Sequence, residues 1–443
     1  MKAIKALYFS NRFFTSLGLI AALFICSYLV PVLLAFAKVA LLLFLAASLV
    51  EFIILFASPK GIQANRIVAE RLSNGDDNEI RIVLESYYRS SMTVDVIDEV
   101  PHQFQVRDTR FTQILTQGET KSFTYQLRPV KRGEYNFGAI NVFVHAPLGL
   151  LKRRLKHEAD KIVPVYPSYI QMRKYELLAI SNRLTETGIK KIRRIGHNLE
   201  FEQIKKYVAG DDIRTINWKA TARKNDLMVN HYQDERMQQV YCLIDKGRVM
   251  QMPFKGLSLL DYAINSSLVI SNIAIKKSDK AGLITFQDKI NTFLPASRVN
   301  NQMAAIQQVL YNQKTAYRES DFSDLYTGIR RRVNQRSLLI LYTNFETLFG
   351  LQRQLTYLIN LAKRHLLVVV FFENTEMKKL VEEPVQELES VYQKAVAEKF
   401  MYEKRLIVKE LQKHGIQSIL TPPEKLTINT INKYLELKAR NLI

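Results

Sequence analysis

Residues 13–57 are apolar almost without a break, and nothing else in the chain limits its fold as strongly. One membrane-crossing helix needs ~20 apolar residues, so the stretch has room for two. A break near Pro31 to Lys38 predicts helices at about 13–31 and 39–57, folded back as a hairpin. The apolar core of a cleaved signal peptide is only ~7–15 residues long, shorter than this run. A buried helical hairpin of a soluble protein would show an amphipathic pattern, and none is visible. Lys2, Lys5 and Arg12 precede the first helix and Lys60, Arg66 and Arg71 follow the second, whereas only Lys38 lies in the turn. That bias places both ends in the cytoplasm. Glu51 falls inside the second helix and is assigned no role.

A chain of 443 residues exceeds one ordinary core and predicts two or three folded units. Its formal charge of +21 favours anionic partners. With a membrane anchor at hand, anionic lipid is the economical one. Cys26 and Cys242 read as core thiols of a reducing compartment.

Residues 1–58 are thus the anchor. Residues 59–166 carry short alternating runs, among them EIRIVLESYY, MTVDVIDEV and KSFTYQLRPV, separated by turns such as Asn74-Gly75-Asp76. That spacing predicts a β-sandwich-like domain. Residues 167–236 form a connector with the densest basic stretch, Lys190, Lys191, Arg193 and Arg194. From 237 to 443 strands and helices alternate, with strands at 238–245, 337–343 and 365–372, helices at 257–277, 300–313, 321–334, 351–363 and 425–440, and a long helix at about 384–414. The pattern predicts an α/β domain with a mostly parallel sheet covered on both faces. Ligands of such sheets sit at the carboxyl ends of the strands.

Asp245 ends the first of those strands. Asp-x-Ser-x-Ser at that place would offer a divalent cation several oxygens. Gly247 and Val249 stand where the two serines would be, Lys246 and Arg248 add positive charge, and Thr343-Asn344 ends the later strand where a second Asp would be wanted. The edge therefore reads as a degenerate metal site; Mg²⁺ is disfavoured and no cofactor is expected. In the connector, Tyr207, Gly210, Asp211, Asp212, Arg214, Trp218 and Arg223 stand close together. Adjacent carboxylates and nearby arginines suit bidentate ion pairs, and a lone tryptophan suits a packing anchor. A clamp onto the first α/β strand is the structural reading; a docking or regulatory surface is the functional one. Asp211 and Asp212 also raise an acid/base hypothesis, although neighbours in one turn rarely span a cleft. No histidine pair has metal-ligand spacing, and no phosphate-binding loop or nucleophile elbow occurs. Recognisable nucleic-acid motifs are also missing, so no nucleic-acid partner is expected.

Leu199, Glu200 and Phe201, with Tyr207, Gly210, Asp211, Asp212, Arg214, Ile216, Trp218, Lys219, Ala222 and Arg223, resemble the signature of a bacterial family of domains of unknown function, number fifty-eight. Arg128-Pro129, Arg132-Gly133, Tyr135 and Pro147-Leu148-Gly149-Leu150 resemble that family's preceding β region. The resemblance implies a von Willebrand factor A-like domain over 237–443, a type used mainly for protein–protein contact. It also implies association with MoxR-type AAA+ ATPases. In A-like domains the metal site needs a later Thr and a later Asp as well; only Asp245 clearly remains. The expectation is a multi-pass protein of the bacterial inner membrane, its soluble domains facing the cytoplasm. It would act as an adaptor for other proteins, with an AAA+ ATPase as partner. The rival is an envelope-associated enzyme, or enzyme subunit, using Asp211 and Asp212.

Overall fold

The computed structural model describes residues 6–106, 109–180, 199–209, 211, 213–224, 226–234, 237–315, 317–382, 388–440 and 442. The chain is multidomain and divides into two compact units, Met1–Tyr166 and Pro167–Ile443.

The first unit joins a helical pair to layered β-structure. Strand β1 (Leu7–Phe9) leads into helix α1 (Asn11–Cys26), and α2 (Leu33–Ala57) follows. Among the described residues, α2 is the one helix long and apolar enough to cross a membrane; α1 is apolar but shorter. The helix ends differ from the expected 13–31 and 39–57. Ser10 starts α1 by accepting the Phe13 N–H on its hydroxyl. Pro31 lacks an N–H and disfavours helical backbone at the residue before it, so the break falls at residues 27–32. Lys38 accordingly lies within α2, exposed, and not in the turn. Cys26 is exposed, which corrects its reading as a core thiol.

Nine of the unit's ten further strands alternate or nearly alternate buried and open positions, or run short. They are β2 (Ile62–Ile67), β3 (Leu72–Ser73), β4 (Asn78–Ser86), β5 (Met92–Asp98), β6 (Arg110–Leu115), β7 (Thr120–Leu127), β8 (Gly133–Phe137), β9 (Ile140–His145) and β11 (Lys161–Tyr166); the tenth, β10 (Leu151–His157), is the basic run LKRRLKH. They form a five-stranded sheet, β1-β10-β9-β5-β6, and two of three strands, β2-β4-β7 and β3-β11-β8. On β4 the period-two pattern buries Ile80, Ile82 and Leu84 while Glu79 and Arg81 face outward. One core gathers Ile62, Ile82, Val94, Val142 and Leu151 together with Leu55 of α2. Arg66 is buried in an ion pair with Asp98, which also accepts a hydrogen bond from the Tyr125 hydroxyl. Arg66 is thus buried inside the fold, whereas Lys60 and Arg71 are exposed. β1 pairs antiparallel with β10, and β2 with β4. Both ends of the helical pair therefore run into the same β-unit.

The second unit opens with α3 (Tyr169–Ile180), then the hairpin β12 (Leu199–Lys206) and β13 (Met228–Asp234), with the seven-residue α4 (Trp218–Lys224) between its strands. The α/β part follows: β14 (Gln239–Asp245), the short pair β15 (Pro253–Phe254) and β16 (Leu257–Ser258), α5 (Leu259–Lys276), β17 (Lys280–Phe286), β18 (Ile290–Ser297), α6 (Gln302–Tyr311), α7 (Phe322–Arg332), β19 (Leu338–Tyr342), α8 (Leu348–Ala362), β20 (Leu366–Phe372), α9 (Thr375–Glu382), α10 (Leu388–Lys413), β21 (Gln417–Thr421) and α11 (Leu426–Ala439). The sheet order is β18-β17-β14-β19-β20-β21, parallel except for β18 at one edge. Strands β14, β19 and β20 are buried along almost their whole length, as strands covered on both faces must be. Helices α5, α6 and α11 pack on one face; α7, α8 and α10 pack on the other. A capping box between Ser258 and Asp261 starts α5. Gly415, at φ +71°, follows the end of α10. The Cys242 thiol lies wholly buried on β14, and burial pushes its pKa up to about 12. The expected helix at 384–414 is α10, with α9 separate before it and 383–387 outside the described residues.

Candidate functional site

The chain passes from β14 to β17 on one side of the sheet and later to β19 on the other. Their carboxyl ends diverge there, and this switch point is where sheets of this kind hold ligands. Asp245 stands at that point, 1% exposed. Its Oδ1 accepts the Gly247 N–H at 2.8 Å and the Ser320 hydroxyl, and its Oδ2 accepts the Thr343 hydroxyl at 2.7 Å. Burial raises its pKa, against the pull of those three donors. Lys246 is also buried, which lowers its pKa.

The structure brings Thr343 onto Asp245 and adds Ser320, which the sequence did not point to. Gly247 is a space requirement: a Cβ there would collide with Ser320 Oγ. Asn344 makes its own contact, its Oδ1 accepting Lys404 Nζ at 2.6 Å. Val249 packs as a partly buried apolar residue against the α5 side of the core. The donors do not fit a divalent cation. One carboxylate is already bonded through both oxygens, two positions lack hydroxyls, and an ammonium holds the last amide. Among the described residues no group of three His, Cys, Asp or Glu could hold a metal.

Beside this edge lies a cavity of about 210 Å³ lined by Met252, Phe254, Asn344, Phe400, Lys404 and Leu420. Burial lowers the Lys404 pKa to about 8, with nearby Glu346 opposing the shift. Its ammonium also lies 5.8 Å from the Phe371 ring centre. Such a pocket suits an apolar side chain, with one polar group to orient it. Lys404 was not legible beforehand, since α10 meets β19 and β20 only in the fold.

The connector motif forms a separate surface. β12 and β13 pair antiparallel with a shift between Phe201 and Gln203. The Tyr207 N–H donates to the Leu227 carbonyl at 2.8 Å, closing the arm below its tip. Asp211 accepts the Val208 N–H and the Lys205 ammonium, each at 3.0 Å. It organises its own turn. Asn217 caps α4 through the Ala220 N–H at 3.0 Å. Trp218 is 70% exposed, as is Ile213, and Val208 is 63% exposed. The packing anchor expected of Trp218 is therefore not formed. A two-stranded hairpin offers α4 no second layer to bury against. Lys206, Lys219, Arg223 and Lys224 stand exposed on the same arm. Gly210, Asp212, the Arg214 side chain and the basic stretch at 190–194 lie outside the described residues.

Residues 203–394 match the family model described as "Protein of unknown function DUF58". An uncharacterized protein of Bacillus subtilis (strain 168), YeaD, is 28% identical over 174 residues, covering 39% of this chain and 41% of its own length. The chain thus matches less than half of that relative. Among solved structures, the conserved hypothetical protein BatB of Bacteroides thetaiotaomicron is 14% identical, with a TM-score of 0.29, over 46% of this chain and 99% of that one. Proximal thread matrix protein 1 of the mussel byssus is 12% identical, with a TM-score of 0.26, over 45% of each chain. Neither score establishes a common fold.

Proposed function

The chain belongs to the DUF58 family over residues 203–394, and from that premise we propose that it is a membrane-anchored adaptor whose exposed β12–β13 arm docks a protein partner. The observation that carries this reading is the arm itself. Trp218, Ile213 and Val208 stand open to solvent on a tip braced by Asp211 and Asn217, among exposed cations. Aromatic residues on a preformed support, with a charged rim, are the usual anchors of protein interfaces. Asp211 serves the turn, so the arm is better suited to recognition than to acid/base chemistry.

The family resemblance favours a MoxR-type AAA+ ATPase as the partner and a von Willebrand factor A-like character for the six-stranded α/β part. The strand order and the site at the switch point agree with that character. The helical pair reads as a bilayer hairpin of the bacterial inner membrane, with both soluble units on the cytoplasmic side. What supports the hairpin is that β1 before α1 and β2 after α2 enter one β-unit. The chain must therefore leave the apolar pair on the side where it came in.

The test is direct binding of the purified full chain in nanodiscs to the MoxR-type ATPase of the same organism, with and without nucleotide. Trp218→Ala is expected to weaken binding by ~30-fold, the effect of losing an interface anchor of about 2 kcal/mol. The parent failing to bind, or the variant binding as tightly as the parent, would refute the reading.

A further inference from the structure

We propose that the first unit rests on the bilayer through a foot formed by the loop of residues 147–150 with Phe9 and Phe14, seated at the headgroup–acyl boundary at the level of Glu51. The inference rests on the reading of α1 and α2 as a membrane hairpin and adds a lipid contact made by the β-unit itself.

The loop is held by the hairpin. The Ser10 N–H donates to the Leu150 carbonyl at 3.0 Å, and the Ser10 hydroxyl donates to the Gly149 carbonyl at 2.5 Å. Arg12 Nη1 lies 3.4 Å from the Leu148 carbonyl. Glu51, 1% exposed within α2, accepts the Leu150 and Leu151 N–H groups on Oε2 at 3.0 and 2.8 Å. Irregular backbone at membrane depth persists only where protein groups satisfy it. Here residues of the hairpin and its lead-in strand supply both donors and acceptor. Gly149 has φ +78°, and a Cβ on it would lie 3.1 Å from Arg12, so the turn fits closely against the start of α1.

Length fixes the level of the foot. The 16 residues of α1 rise about 24 Å, whereas the hydrocarbon core is ~30 Å thick. Covering that core brings the boundary up to the start of α1, where Ser10, Arg12 and the loop meet. Beyond Glu51, α2 turns to the protein: Leu55 is fully buried, and its carbonyl accepts the Tyr88 hydroxyl at 2.9 Å and Arg153 Nη1 at 2.7 Å.

The side chains at that level are apolar and open. Leu148 and Phe14 are each 58% exposed and Phe9 is 50% exposed. The rings of Phe9 and Phe14 meet edge-on with centres 6.2 Å apart. A single exposed leucine on a soluble loop would mean little. Set beside the Phe9 and Phe14 rings and the Arg12 cation, it matches segments that lie at the headgroup–acyl boundary, with Phe and Leu toward the chains and a basic residue toward the headgroups.

The test uses the full chain with Cys26→Ser, in vesicles of phosphatidylcholine and phosphatidylglycerol. Cys242 stays in place, because its buried, protonated thiol does not label. Leu148→Cys and, separately, Leu42→Cys in mid-helix α2 receive an environment-sensitive fluorophore. Lipids carry a spin-label quencher either near the headgroup or near the chain end. Label at 148 is expected to emit at shorter wavelength than the same fluorophore on free cysteine in water, to lose emission to the shallow quencher and to resist aqueous iodide. Label at 42 is expected to be quenched by the deep one. Iodide quenching at 148 with lipid quenching at 42 would overturn the foot and leave the hairpin standing. Iodide quenching at both would overturn the hairpin and the foot together.

Discussion

Asp95 on β5 receives three donors in a small volume: Arg110 at 2.5 Å, Thr112 at 2.7 Å and His145 Nε2 at 2.6 Å. Burial pushes its carboxyl up, but these partners outweigh burial and bring it down to about 2. A folded value below the unfolded one means stability that is present above pH ~4 and lost as pH falls toward 2. The shift corresponds to about 2 kcal/mol. Asp95→Asn should therefore lower stability by that order at pH 7, and its difference from the parent should shrink as pH falls through that window. Thermal unfolding of both proteins in micelles across that range checks it. The chain showed little of this beforehand. An aspartate alternating with valines on a strand reads as an outward residue; its partners come from β6 and β9, which only pairing brings alongside.

Where two loops meet, Gly247 after β14 and Ser320 before α7 compete for one space. Gly247→Ser would restore an oxygen where a metal-binding pattern has one, yet it must displace the Ser320 hydroxyl from Asp245. Overpacking of this kind costs about 1–3 kcal/mol. The expected outcome is a lower Tm for Gly247→Ser, recovered when Ser320→Gly is added, with no heat from Mg²⁺ titration of the parent chain. Melting curves and calorimetry check the two parts. Elements of the α/β part were legible because β14, β19 and β20 are continuous apolar runs that alternate with helix-length segments. The helical pair was legible in kind but not in bounds. Its apolar residues give no amphipathic edge, so Ser10 and Pro31 decide where the helices end. The arm was not legible as an arm. The pairing of β12 with β13 spans α4, and no local pattern announces it.

For the whole chain, both segments flanking the helical pair belong to one β-unit, and Lys60 and Arg71 follow the second helix. On the proposed reading of the pair as a bilayer hairpin, the positive-inside bias would put the soluble bulk in the cytoplasm. A green fluorescent reporter fused after Ile443 should light up in cells, while alkaline phosphatase at the same place should stay inactive; the reverse pattern would refute the orientation. The pairing of β1 with β10 has a further consequence for biosynthesis. Leu7 finds its partner Arg153 only after the intervening chain has been made. At ordinary translation speeds of ~5–20 residues per second, that is a delay of roughly 7–30 s. The nascent strand must wait beside the ribosome with its backbone unpaired, while the greasy segment behind it has already been synthesised. Closure of this sheet edge thus follows synthesis of the apolar pair, and the edge stays open to other strands in the meantime.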